Sequence, residues 1–187
     1  MNPFERYSQL YDLTDPTDPI VAADIARGAR WGYGKTDVHD HLPRLRELAQ
    51  YNVLEIGVRF GASTAALLTG VEEKGGHVWS IDIEPCDFAR SLFEGNPRWT
   101  FIRGDSKEVF VDLRHIDLLF IDGDHSYEGV LADLRLYGPL ARTIALHDYH
   151  RWNSYAIPRA VGTYLKTGAR QKKLYVYRES NGMAVLS

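Results

Sequence analysis

From Tyr51 onward the apolar residues fall into short blocks that alternate with longer two-faced stretches, the pattern of strands and helices in a parallel sheet covered on both faces. Val53, Leu54 and Ile56 form the first block, and 62–68 reads as the first turns of the helix behind it. Further strands are expected over 77–83, 99–105, 116–122 and 142–148. Helices are expected over 88–93, 107–113 and 127–137, with a last one opened by Pro158. Asn181-Gly182 stands between two β-rich runs, 173–178 and 183–187, so the chain closes on an antiparallel hairpin. Upstream, Asp18-Pro19 is a helix start and predicts a short helix over 20–29, while Leu42, Leu45 and Leu48 mark one face of the next helix. Residues 1–41 are read as a short N-terminal helical cap on the same domain, and 42–187 as the domain proper.

Composition narrows the function classes. With 187 residues, 44% of them hydrophobic and 25% charged, the chain suits one globular domain with a full core. A net charge of −3 offers no footprint for a phosphate backbone, so nucleic acid is not an expected partner. No apolar run is long enough to cross a bilayer, so a membrane is not expected either. Cys86 is the single cysteine and cannot close an intrachain disulfide, and Met-Asn-Pro-Phe-Glu-Arg at the start has neither a basic nor an apolar leader region. A reducing cytoplasm is the expected location.

The candidate chemistry gathers at the carboxyl ends of the strands. Glu55-x-Gly57-x-x-x-Gly61, followed by Ser63, is a strand–turn–helix junction where glycine lets backbone N–H groups and a helix N-terminus approach a nucleotide-like ligand. A dinucleotide fingerprint would be GxGxxG, and its middle and last glycines are missing. Glu55, Asp82, Asp105, Asp122 and Asp148 then stand at successive strand ends, the edge where open α/β sheets bind ligands. Asp82, just over twenty residues past the turn, is placed to accept the hydroxyls of a ribose. Asp105 and Ser106 can hydrogen-bond the edge of an adenine ring, with Ile83 packing on its face. Each acid could instead cap the helix that follows it.

The turn resembles motif I of the class I S-adenosylmethionine (SAM)-dependent methyltransferases. Phe120-Ile-Asp-Gly-Asp-His-Ser-Tyr-Glu-Gly129 and Ile144-Ala-Leu-His-Asp-Tyr149 are similar to the group that includes macrolide-sugar O-methyltransferases and cephalosporin-hydroxylase-like proteins. Gly34-Lys-Thr-Asp37 and His39-Asp-His41 loosely resemble elements upstream of motif I in that group, with the Lys and Asp transposed. The resemblance runs from about residue 32 to the last strand. It implies an α/β fold: a Rossmann-like seven-stranded sheet, mostly parallel, with an antiparallel C-terminal hairpin, helices on both faces and a short N-terminal helical cap. It also implies SAM as cofactor, held by Glu55, Gly57, Gly61, Ser63, Asp82, Ile83, Asp105, Ser106 and Asp122.

In the magnesium-dependent members, the aspartate after strand four and an acid pair after strand five hold the ion, and a histidine three residues past the first aspartate is the base. By position, Asp122, His147 and Asp148 would be the metal set and His125 the general base. A divalent metal, magnesium or manganese, is thus left open as a second cofactor. His147 stands where an acid is expected, which points to a softer metal such as manganese, zinc or iron, or to none. The expected reaction is methyl transfer to an oxygen nucleophile of a small molecule: a sugar hydroxyl, a phenol or a natural-product intermediate. A homodimer is left open. The rival readings are a SAM- or nucleoside-binding protein without transferase activity and, less favoured, an NAD-linked oxidoreductase.

Overall fold

The computed structural model describes residues 37–150, 155–167 and 172–187. The helix expected over 20–29, Trp31, Tyr33, most of the expected cap, Trp152 and Arg170 lie outside the described residues. The described chain enters through a 3₁₀ turn at His39–His41, which runs into α1 (Leu42–Leu48). There follow β1 (Asn52–Ile56), α2 (Ala62–Glu72), β2 (His77–Asp82), α3 (Asp87–Phe93) and β3 (Trp99–Arg103). The second half is β4 (Ile116–Ile121), α4 (Tyr127–Tyr137), β5 (Ala141–Leu146), α5 (Ala156–Thr167), β6 (Leu174–Tyr177) and β7 (Met183–Leu186).

The seven strands lie in one sheet in the order β3-β2-β1-β4-β5-β7-β6. The first five are parallel, and β7 runs antiparallel to both β5 and β6. This is the Rossmann-like architecture expected from the alternation of elements, hairpin included. Strand order reverses between β1 and β4, which opens a crevice beyond their carboxyl ends.

Alternate residues feed two cores. Val53, Val78, Leu118 and Phe120 pack with α1, α2 and α3 on one face, and Leu54, Ile81, Leu119 and Ile121 pack with α4 and α5 on the other. Both faces being covered explains why β4 reads as an unbroken apolar run apart from Asp117. That residue spends its carboxylate on the Asn52 N–H (2.9 Å) at the start of the neighbouring strand β1. Among the described residues no helix is long and apolar enough to cross a membrane.

One expected element is absent. Residues 107–113 form a turn and then chain without regular secondary structure, not a helix. The Asp105 carboxylate takes the Lys107 N–H (2.9 Å), a turn that competes with helical bonding. Beyond it Val109, Val111 and Leu113 face the core while Phe110 and Asp112 face out. That is a period of two, and two β-branched residues in it suit extended backbone. The last helix also begins at Ala156, two residues before Pro158, which sits in its first turn.

Candidate functional site

The loop after β1 owes its path to the end of β4. Gly57 donates its N–H to Ile81 O (2.9 Å), and Asp122 donates its own to Ile56 O (2.7 Å), so three strand ends are tied at this point. Gly57 has φ +93°, and a Cβ there would overlap the Asp122 carbonyl and stand 2.8 Å from Gly123 N. Gly61, at φ +86°, would place a Cβ 2.7 Å from the Phe93 ring and 2.9 Å from Ala89, so it lets α3 pack against the start of α2.

Glu55 lies beneath this turn, fully buried. Its carboxylate accepts from Ser63 Oγ (2.6 Å), Thr64 Oγ1 (2.8 Å) and Ser80 Oγ (2.6 Å), and Ser80 in turn accepts from Trp99 Nε1 (2.9 Å). Burial drives its pKa up to about 7 even though three hydroxyls oppose the shift. Glu55 and Ser63 were expected to touch the ligand. Here they face one another and brace β1, β2 and the first turn of α2. The hydroxyls at 63, 64 and 80, lying in otherwise apolar runs, were the signal for this network.

Asp82 reaches from the end of β2 to the turn after β1. Its Oδ2 accepts from Val58 N (2.7 Å) and Arg59 N (3.1 Å), and its Oδ1 from Glu84 N (2.9 Å). It therefore anchors the glycine turn from the end of β2. Ile83 beside it is 65% exposed, an apolar surface that suits the face of a ring. Asp105 pairs with Lys107 (2.8 Å), whose hydrogen bonds hold the carboxyl below its ordinary range. Ser106 is buried and donates to Asp133 on α4 (2.6 Å), while Tyr137 OH donates to the Ser106 carbonyl (2.6 Å). Asp133 was not anticipated, because its position in the middle of an amphipathic helix carries no distinguishing pattern.

Across the switch point stands a cluster of two carboxylates and two imidazoles. Asp122 follows β4, and His125 follows it in the turn capped by Ser126, whose Oγ accepts from Gly129 N (3.0 Å). The cap of α4 is therefore Ser126. His125 Nε2 lies 3.3 Å from Asp122 Oδ1 and 3.3 Å from Asp148 Oδ2. His147 Nδ1 is 3.2 Å from Asp122 Oδ1 and 3.6 Å from Asp148 Oδ1, and its Nε2 faces the Asp37 carbonyl at 3.2 Å. His147 and Asp148 are buried, and Asp148 holds a left-handed backbone (φ 56°), a conformation Asp tolerates better than most residues.

Burial alone would depress the His147 pKa. The Asp122 charge and hydrogen bond, with Asp148 and Asp37, outweigh it and raise the value to about 9. Burial would likewise raise the Asp122 pKa, yet His147 and His125 hold it below the ordinary carboxylate range. His41, whose ring meets His147 edge to face at 5.6 Å, is pushed the other way by burial and by the charge on His147.

The expected metal set was Asp122, His147 and Asp148. Ligand atoms within 4.8 Å of one another belong to Asp122, His125 and Asp148, and to Asp37, His147 and Asp148. Asp122 and His147 thus fall into different groups, the first with His125 and the second with Asp37, and Asp148 is common to both. Asp37 arrives here because the entry segment is stitched to the C-terminal hairpin. His41 Nε2 meets Glu179 O (3.0 Å), Ser180 Oγ donates to Asp40 Oδ2 (2.6 Å), and Asn181 Nδ2 donates to Asp37 Oδ2 (3.4 Å). His150 lies against Tyr149 and donates its backbone N–H to Asn181 O (2.7 Å). Tyr155 is exposed.

A family model described as a methyltransferase domain matches residues 54–149, which include the glycine turn, Asp82 and the whole imidazole–carboxylate cluster; Asp37 lies upstream of the match. No protein of curated function matches the chain by sequence. Among solved structures the chain is similar to an O-methyltransferase from Bacillus cereus in complex with S-adenosylhomocysteine (SAH), at 19% identity and TM-score 0.61, covering 98% of this chain and 96% of that one. It is similar to a methyltransferase from Geobacter sulfurreducens, at 18% identity and TM-score 0.62, covering 97% and 94%. A third is the SAH-bound methyltransferase PaMTH1 of Podospora anserina, at 15% identity and TM-score 0.60, covering 90% and 87%. At these identities the likeness is one of fold.

Proposed function

The chain belongs to the methyltransferase-domain family, and on that premise we propose that it transfers the methyl group of SAM to an oxygen nucleophile of a small molecule. The observation that carries this reading is the meeting of two different half-sites at one crevice. The glycine turn and Asp82 form one, and the Asp122–His125–His147–Asp148 cluster forms the other, with Gly57 packed directly on Asp122. That two of the fold relatives hold SAH supports the choice of cofactor.

Methyl transfer from a sulfonium needs no acid for its leaving group, because the departing thioether is neutral. The protein must hold the acceptor in line with the methyl carbon and take the acceptor's proton. A hydroxyl suits the second half-site, where the His125 imidazole stands between the Asp122 and Asp148 carboxylates and is placed to take its proton. Magnesium suits this site poorly, since it asks for oxygen donors and two of the four side chains offer nitrogen. A borderline metal fits the donor set. It would be held by one of the two groups whose donor atoms converge, Asp122–His125–Asp148 or Asp37–His147–Asp148, and when bound it would lower the pKa of the acceptor hydroxyl.

Calorimetry with SAM and with NAD, followed by assay of SAH formation against a panel of phenols and sugars, tests the reading. Binding of SAM alone of the two, and SAH formed only when a hydroxylated acceptor is present, are the expected results. Binding of NAD, or of neither, would dismiss it. Asp82→Ala should lower SAM affinity at least about tenfold, since it removes a charged acceptor and releases the Val58 and Arg59 N–H groups it holds. An unchanged dissociation constant would move the ribose elsewhere.

A further inference from the structure

We propose that Asp133 and Tyr137 on α4 are positioning residues for the base end of the cofactor: acting through Ser106, they hold the loop after β3 in an arrangement that selects a 6-aminopurine. This deepens the proposed function and rests on it for the identity of the cofactor, and the test below separates the two.

Geometry is the first argument. Asp133 and Tyr137 stand four residues apart, one turn of α4, and reach the same residue. Ser106 Oγ donates to Asp133 Oδ1 (2.6 Å), and Tyr137 OH donates to the Ser106 carbonyl (2.6 Å). All three residues are buried. With hydroxyl and carbonyl both committed, Ser106 keeps its N–H, which finds no acceptor among the described residues. Beside it, Lys107 holds Asp105 through Oδ1 alone, by its N–H and by its ammonium group, so Asp105 Oδ2 is left to accept elsewhere. An acceptor and a donor on adjacent residues match the edge of adenine, whose 6-amino group donates and whose N1 accepts. Hypoxanthine presents the reverse at both positions, a carbonyl oxygen and an N–H.

Energetics is the second. Asp133 Oδ2 has no hydrogen-bond partner among the described residues, and burial raises the carboxyl above its ordinary range. Stability alone would favour an apolar residue here, beside Val130 and Leu134, because a buried acid held by one hydroxyl costs more than it returns. What the acid supplies is direction: an acceptor at a fixed height on a rigid helix. That helix starts from the turn carrying Asp122 and His125, so a single element sets both the acceptor half-site and the loop for the base.

The full chain is titrated by calorimetry with SAH and with S-inosylhomocysteine, which carries hypoxanthine in place of adenine. The unaltered chain should bind SAH at least about thirtyfold more tightly. Tyr137→Phe and Asp133→Ala should each cut that ratio at least about fivefold, chiefly by weakening SAH. Asp133→Asn keeps an oxygen that accepts from Ser106 and should hold the ratio within about twofold. A role in stability alone would weaken both ligands by one factor and leave the ratio in place. Thermal melting checks each fold, and Tyr137→Phe, which removes a hydroxyl and leaves the ring, decides the matter if Asp133→Ala does not fold. A ratio unchanged in folded Tyr137→Phe, or an Asn variant that discriminates no better than the Ala one, would overturn the roles of Asp133 and Tyr137 while SAH binding by the unaltered chain upheld the cofactor. No SAH binding by the unaltered chain would overturn the cofactor, and this inference with it.

Discussion

Gly57→Val is expected to prevent the chain from folding rather than merely to empty its cofactor site. The collision is with the protein itself: a Cβ at this position overlaps the Asp122 carbonyl and stands 2.8 Å from Gly123 N. These are backbone atoms held by β1–β4 pairing and by the Asp122 N–H to Ile56 O bond, so neither partner can yield without breaking the central pair of the sheet. Valine at φ +93° adds backbone strain on top of the overlap. The combined cost should exceed about 4 kcal/mol, a large share of the stability of a domain this size. Urea denaturation checks it. Gly61→Ala is the informative comparison, since its neighbours are the Phe93 and Ala89 side chains, which can shift a little, and it should cost less. A Gly57→Val protein with an unchanged urea midpoint would show that the ends of β1 and β4 are not packed in this way.

Glu55→Ala should cost roughly 3 kcal/mol or more, because it leaves the hydroxyls of Ser63, Thr64 and Ser80 buried without their common acceptor. Glu55→Gln should behave differently, and the difference depends on pH. The folded pKa is raised to about 7 from an ordinary 4.5, so the unfolded chain releases this proton first as pH rises. The group's contribution to stability is fully present below pH 4.5, falls through the interval and is lost above about 7, a change on the order of 3 kcal/mol. Gln carries no such charge. The stability of Glu55→Gln relative to the unaltered chain should therefore rise between pH 5 and pH 8, read from paired urea curves. A constant difference across that range would mean that Glu55 is ionised without penalty.

Both expectations concern residues whose place was legible but whose protein partners were not. The motif from Glu55 to Ser63 could be located because strand, turn and helix each leave a local mark: an apolar block, two glycines, then small residues suited to a close-packed helix. A ligand was the natural reason for the glycines. The fold adds a further reason at Gly57, the backbone at the end of β4 some sixty-five residues away in sequence, and no local pattern records such an approach. Likewise the acid at 55 looked like its counterparts at other strand ends, yet it is the one whose strand position turns it under α2 instead of out into the crevice.

The helix expected over 107–113 shows the same division on a smaller scale. Its composition allowed either state, and the outcome was decided by Asp105 capturing the Lys107 N–H and by a core that accepts Val109, Val111 and Leu113 at alternate positions. A local pattern with two readings is settled by whichever one buries its apolar residues against something.

By itself, then, the order of residues determined what depends on near neighbours: the alternation of strands and helices, the parallel sheet, the closing hairpin at Asn181-Gly182, the turn at Gly57 and the acids at the strand ends. Tertiary structure decided what depends on convergence. It brought His125 and His147 onto the same pair of carboxylates from loops after different strands, and Asp37 to the far side of His147 through bonds to a hairpin about 140 residues away. Local propensity acts over a few residues of backbone, whereas the charge and direction of a buried side chain are set by whatever the fold places within a few ångströms of it, however distant in the chain.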